Sequence, residues 1–194
     1  MKRLIPLLLA GALLLPLSGC ASSTATTSRP RAGDASAAAP AFNAADVMFA
    51  QMMLSYQGQS RRIVPLAASR AARTDVRTLA AAIDVTQADE AETMLRWLHA
   101  WGQPITADRD PAAHASHGGL HDLSAAEVAE LEKASGADFD HTFLNLLIGH
   151  QHNAVEMARM EIADGANPDA KDLARRVEQS RSAQIQQMLT MLNG

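Results

Sequence analysis

Apolar residues recur at intervals of three and four along most of the chain. One set includes Phe49, Met53 and Tyr56, and a second begins at Val76 and ends at Trp101. Such intervals place side chains on one face of an α-helix. The pattern therefore predicts two amphipathic helices, separated by a turn near residue 73.

Helix boundaries are predicted from residues that start a helix or interrupt its backbone hydrogen bonds. Pro65 lacks a backbone N–H and predicts a kink or an end late in the first helix. Gly102, with Pro104 behind it, predicts the end of the second. Ser124 and Glu127 form a capping-box pattern, which predicts a short helix that closes near residue 136. Two further long helices are predicted, one over about 138–163 and one that follows a turn at residues 164–168 and continues to the end.

The two halves of this pattern repeat. A shift of 94 residues superposes Phe49 on Phe143 and Met94 on Met188 without a gap. Each hairpin has an apolar face that it cannot bury alone, so two copies are expected to pack together. The sequence predicts an all-α, antiparallel four-helix bundle built from hairpins 43–102 and 138–194, with the short helix in the central connection.

Polar residues interrupt the apolar faces at one level of the predicted bundle. Half-way along a hairpin their side chains can meet, and a buried polar layer must be satisfied internally or by an ion. The members predicted from helical spacing and the repeat are Tyr56, Gln87, Glu90, His150, Arg181 and Gln184.

The N-terminus has the layout of a bacterial lipoprotein precursor. Lys2 and Arg3 precede an uncharged apolar run that is too short to span a membrane, and small residues lead to Cys20. These features predict a signal peptide over 1–19, an acylated Cys20 with a flexible tether over 20–40, and the bundle domain over 41–194. We expect an exported, membrane-anchored protein that faces the periplasm, at the outer membrane if the organism is Gram-negative.

Composition narrows the function classes. The formal charge is −4 before the basic signal is removed, which disfavours nucleic acid as a partner. Cys20 is the only cysteine, so a disulfide framework is excluded. No phosphate-binding loop, nucleophile elbow or paired Glu-x-x-His motif occurs, and we predict that the protein is not an enzyme.

Several segments resemble the domain of unknown function 305 family, whose members are exported ferritin-like bundles and in some cases linked to copper. The resemblance covers about 43–194 and is carried by segments 46–53, 87–97, 139–158 and 163–169. Family members usually have a His-His pair in the first and third helices. Tyr56 and Gln57 replace the first pair here, while His150 and Gln151 stand at the second. The resemblance thus implies a copper site that this chain retains only in part.

Two candidate metal sites follow. In the bundle, His150 and Glu90 offer a nitrogen and a carboxylate, and methionine thioethers suit Cu(I); the candidate thioethers are Met53, Met94, Met157 and Met188. In the central loop, three histidines could bind Cu(II), Zn(II) or Ni(II) with help from His99 and Asp122; they are His114, His117 and His121.

Two functions stay open from the sequence. The first is an envelope lipoprotein that binds or buffers a transition metal, with copper favoured. The second is a non-catalytic structural or interaction bundle in which Arg181 pairs with Glu90 and a hydrogen-bonded network replaces the ion. Protein partners cannot be named from the residues.

Overall fold

A computed structural model describes residues 41–107 and 123–194 of the chain. This part is all-α, as predicted, and contains no β-strand. The helices are α1 (Ala44–Ile63), α2 (Ala67–Arg70), α3 (Thr74–Ala100), α4 (Ala125–Lys133), α5 (Gly136–Asp164) and α6 (Pro168–Asn193), with a 3₁₀ turn at Val64–Leu66. The predicted signal peptide, the tether with Cys20, and the loop histidines His114, His117 and His121 lie outside the described residues.

The four long helices α1, α3, α5 and α6 form the bundle. The first half of α1 packs with the second halves of α3 and α5 and with the first half of α6. Neighbouring helices are therefore antiparallel, whereas α3 and α5 run in the same direction. The chain between them must return along the length of the bundle, and α4 lies on this connection with Val128 and Leu131 buried.

Two apolar clusters fill the bundle, one towards each end. We call them the methionine cluster and the aliphatic cluster. Prominent members of the methionine cluster are Phe49, Met52, Met53, Tyr56, Met94, Leu98, Met157 and Val177. The aliphatic cluster includes Ile63, Val76, Ile83, Leu131, Phe139, Phe143, Leu147, Ile185 and Met188.

Local signals explain most helix ends. A 3₁₀ turn that contains Pro65 ends α1, and Gly102 follows α3 with φ of +65°, a conformation that glycine adopts without strain. The capping box of Ser124 and Glu127 is present at α4. Gly136 departs from the expectation: α4 already ends at Lys133, and Gly136, with φ of +61°, is the first residue of α5. The third long helix thus begins about two residues earlier than predicted.

The sequence repeat is also a structural repeat. Asp46 in α1 accepts hydrogen bonds from the backbone N–H groups of Ala166 (3.1 Å) and Asn167 (2.8 Å). Asp140 in α5 accepts from those of residues 72 and 73, at 3.0 and 2.9 Å. A shift of 94 residues superposes these two sets of partners. Each hairpin therefore holds the turn of the other through one buried aspartate.

Candidate functional site

A layer of buried polar side chains separates the two apolar clusters, at the level predicted from the sequence. It takes residues from all four long helices. Its buried members are Tyr56, Gln57, Ser60, Gln87, Glu90, His150, Gln151 and Arg181, and the half-buried Gln184 adjoins them.

An ion pair lies at the centre of this layer. Arg181 is fully buried, and its Nη2 donates to Oε2 of Glu90 at 2.5 Å. Nε2 of Gln57 donates to the same carboxylate oxygen at 2.7 Å. Burial raises the pKa of Glu90, an effect that Arg181 and Gln57 oppose, and burial lowers the pKa of Arg181. The pair predicted from sequence is therefore present and has an additional amide donor.

The repeat explains why this pair is asymmetric. Gln57 and Glu90 have as their equivalents Gln151 and Gln184, whose amides are joined by a 2.6 Å hydrogen bond. In the first hairpin the hydroxyl of Ser60 donates to Gln87. The equivalents of these two are Ala154 and Arg181. The second hairpin thus carries a cation where the first carries an amide, and that cation reaches across to α3.

His150 is the chemically distinctive member of the layer. Its ring stacks on that of Tyr56 with centroids 3.9 Å apart and planes within 4°. Only 3% of the residue is exposed, and neither ring nitrogen has a hydrogen-bond partner among the described residues. Burial, followed by the charge of Arg181, lowers its pKa to about 4. The imidazole is therefore neutral at pH 7 and has a free lone pair.

The structure brings some of the predicted ligands together and separates others. Met53, Met94 and Met157 lie in the methionine cluster, to which Tyr56 also belongs. Met188 lies in the aliphatic cluster instead. Oε2 of Glu90 already accepts from two donors, and one of them is the Arg181 cation, which opposes binding of a metal ion there. The predicted bundle site is thus reduced to one imidazole and three thioethers.

This donor set fits one kind of ion better than others. Within residues 41–107 and 123–194, no three His, Cys, Asp or Glu side chains are grouped as metal ligands. A site for Zn(II) or Cu(II) built from imidazoles and carboxylates therefore does not fit this part of the chain. Thioethers with at most one imidazole fit Cu(I), a soft ion. His99, His141 and His152 are exposed and separate from the layer.

Sequence reasoning missed several polar contacts. Gln57 and Gln151 were identified only as replacements of family histidines, and Ser60 was not singled out. Asn153 was also missed, although its Nδ2 donates to the hydroxyl of Tyr56 at 2.7 Å. The sequence repeat could have identified the two glutamines, because it superposes Gln57 on Gln151 and their hydrogen-bond partners on each other.

A second buried polar feature, also missed, lies at the methionine end of the bundle. Asp46 and Glu161 are 0% and 1% exposed. Burial and the nearby Asp46 carboxyl raise the pKa of Glu161 to about 8. Burial also acts to raise the pKa of Asp46, but backbone N–H donors of residues 43, 166 and 167 and a contact with Glu161 bring it below its ordinary value. At pH 7 the two carboxyl groups thus carry mainly one negative charge.

The fold and the polar layer define a class: a ferritin-like four-helix bundle with a thioether-rich interior. The family model of DUF305, a domain of unknown function, matches residues 46–192 of this chain. The chain belongs to the DUF305 family. The comparison with curated proteins finds no match.

Solved structures agree with this assignment. A DUF305 protein of Streptomyces coelicolor, described as secreted, is 27% identical with a TM-score of 0.70, and the match covers 77% of this chain and 91% of that one. A DUF305 fragment from Deinococcus radiodurans is 28% identical with a TM-score of 0.68, covering 79% and 99%. CopM in its Cu(II)-bound form is 24% identical with a TM-score of 0.64, covering 76% and 95%. At this identity the likeness to CopM shows the fold.

The helices of residues 41–107 and 123–194 do not have the character of membrane spans. Among them, none combines the length and the apolar character that crossing a bilayer requires.

Proposed function

We propose that this protein is a non-catalytic, membrane-anchored lipoprotein of the cell envelope that binds or buffers copper. The anchor would be an acylated Cys20, and a tether over 20–40 would hold the bundle in the periplasm. The copper would be bound as Cu(I), because thioethers are soft ligands.

One observation carries the metal part of the proposal: thioethers are concentrated in one half of the bundle. Six of the nine methionines lie in or against the methionine cluster, whose member Tyr56 stacks on the neutral ring of His150. They are Met48, Met52, Met53, Met94, Met157 and Met160. Structures of CopM with Cu(I) and with silver bound give the same fold a precedent for soft metals.

A direct titration tests copper binding. The soluble form 21–194, purified without a histidine tag, is titrated anaerobically with Cu(I) against a chromophoric chelator of known affinity. We expect stoichiometric binding tighter than about micromolar, which corresponds to roughly 8 kcal/mol. The His150→Ala variant reports whether the imidazole contributes. Absence of Cu(I) binding at this affinity would refute the proposal.

Export and acylation of the chain are tested separately from metal binding. Cells that express the full chain are labelled with a fatty acid analogue and fractionated. Incorporation and membrane association of the wild type, together with loss of both in Cys20→Ser, are the expected results. A wild-type chain that is exported without acylation would contradict the anchor while leaving metal binding open.

The Arg181–Glu90 ion pair favours a second candidate, a structural or interaction bundle without a metal. A cation in the polar layer repels a bound metal ion, and the layer already satisfies most of its own hydrogen-bonding groups. This candidate predicts that copper leaves the free energy of unfolding unchanged, which distinguishes it from the first.

A further inference from the structure

A small pocket at the methionine end of the bundle contains four thioethers. Its volume is about 30 Å³, enough for one water molecule or one metal ion. Helix α1 contributes Met48 and Met52, and α5 contributes Met157 and Met160. This pocket lies on the far side of the methionine cluster from the polar layer, and of its four methionines the sequence predicted only Met157 as a ligand.

Helix geometry brings these four residues to one place. Met48 and Met52 are four residues apart, and Met157 and Met160 are three apart, so each pair lies on one helix face. The two faces meet because α1 and α5 pack antiparallel, with Asp46 bonded to the turn after α5. Met52 and Met157 are buried, while Met48 and Met160 are partly exposed. A cation could thus enter from solvent past the outer pair.

Methionine is common in protein cores, so packing alone must be considered as the reason for these residues. The internal repeat supplies the comparison. The positions equivalent to Met48, Met52, Met157 and Met160 are Thr142, Leu146, Ile63 and Leu66. The same place at the other end of the bundle is therefore built without a single sulfur atom. The fold does not require methionine there.

The two ends also differ in their ionisable residues, and at pH 7 the difference in charge comes chiefly from Asp164, because Glu161 is mainly protonated. Glu161 and Asp164 also line the pocket, whereas their equivalents are Ala67 and Arg70. Lys171 is the cation that acts on Glu161, and its Nζ donates to the backbone carbonyl of Gly165. The pocket thus offers soft donors in acidic surroundings, in contrast to the polar layer, which contains Arg181.

We propose that Met48, Met52, Met157 and Met160 form a binding site for one Cu(I) ion at this end of the bundle. The proposal rests on the copper function above but places the ion away from His150 and Glu90. Coordination involves only thioether lone pairs, so the ion changes neither its charge nor its redox state on binding. Ag(I) has the same preference for thioethers and serves as a redox-inert probe.

The experiment observes the methionines directly. The 21–194 protein is labelled with ¹³C at the methionine methyl groups, the signals are assigned by single Met→Leu changes, and Ag(I) is added. We expect one equivalent to shift the four pocket methyl signals most strongly. The double variant Met48→Leu/Met160→Leu should weaken Cu(I) binding by about tenfold or more, equivalent to about 1.4 kcal/mol.

A matched control is available in the aliphatic cluster. Met188→Leu/Met191→Leu removes two thioethers from the opposite end and should leave Cu(I) affinity unchanged. If the wild type binds Cu(I) but Ag(I) shifts the signals of Met53 and Met94 instead, the pocket site is refuted and the copper function stands. If neither ion binds, both proposals fail. Because the NMR measurement uses the wild type, a variant that folds poorly does not prevent a decision.

Discussion

At the residue scale, the Arg181–Glu90 pair is the feature with the largest energetic consequence. Arg181→Met would leave the Glu90 carboxylate buried without its counterion, and such a loss costs about 3–5 kcal/mol. Removing both charges in Glu90→Gln/Arg181→Met should lower the free energy of unfolding by clearly less, because an amide at position 90 can still accept a hydrogen bond from Gln57. Urea unfolding of the three proteins measures the difference. Equal losses in the single and double variants would contradict a coupled pair.

The buried Glu161 gives a prediction about pH. Its pKa in the folded protein is about 8, above the ordinary value of 4.5, so the folded state holds a proton that the unfolded state has released. This contribution to stability is complete below about pH 4.5 and is lost as the pH rises through 8. For the metal-free protein we expect the free energy of unfolding to fall between pH 6.5 and 8, and Glu161→Gln to flatten that decline. An unchanged slope in the variant would place the titrating group elsewhere.

His150 gives a pH dependence of the opposite sign, because its protonation at low pH destabilises the folded state. Its folded-state pKa of about 4 lies below the ordinary 6.5, so protonation favours the unfolded state. Its contribution is complete above pH 6.5 and is lost as the pH falls towards 4. His150→Phe keeps a ring against Tyr56 and removes the two unpartnered nitrogens. Denaturation at pH 7 and pH 5 should show a smaller loss for the variant than for the wild type, and an equal loss would contradict the assignment.

Residue-level prediction from the sequence succeeded where helical spacing was sufficient. Glu90 and His150 were placed in one buried layer because each interrupts an apolar stripe at the same level, and Arg181 was placed there as the repeat equivalent of Gln87. Asp46 and Glu161 were missed because a carboxylate near a helix end is ordinarily solvated. Only the tertiary contact between α1 and the turn after α5 buries them, and no local pattern contains that contact.

At the element scale, the turns are held by side chains from distant helices. Asp140 accepts two backbone N–H groups of the turn before α3, as Asp46 does for the turn before α6. Asp140→Ala would leave both donors without their partner, and we expect a loss of about 1–3 kcal/mol in unfolding free energy. The exposed Asp138, in the first turn of α5, is the matched control and should cost less than about 1 kcal/mol when changed to Ala. Similar losses would argue against this bridging role.

Helix existence was predictable from periodicity, and helix boundaries were less so. Pro65 and Gly102 act through their own backbone chemistry, so their positions could be read directly. Gly136 is different: a glycine with positive φ fits both the end of one helix and the start of the next. The spacing between α4 and α5 decides between them, and this depends on how α4 packs on the bundle.

At the scale of the whole molecule, the repeat makes the two ends of the bundle comparable and their differences informative. One end is rich in thioethers and carboxyl groups, and the other is aliphatic with Arg70 at the position equivalent to Asp164. A purely structural bundle has no need of this asymmetry. The resemblance to a family with some copper-linked members led to the general expectation of a metal site, and the thioether-rich end of the bundle is where we propose that it lies.

Linkage between metal binding and folding tests that interpretation for the molecule as a whole. An ion that binds only the folded state stabilises it in proportion to occupancy, by about 2.7 kcal/mol at a free concentration of one hundred times Kd. We expect anaerobic Cu(I) to raise the unfolding midpoint of the 21–194 protein, and the variant His114→Ala/His117→Ala/His121→Ala to keep that shift. Loss of the shift in this variant would move the site to the central loop. No shift in the wild type at concentrations well above micromolar would leave the metal-free bundle as the function, and the ion pair of Arg181 and Glu90 as the reason for its polar layer.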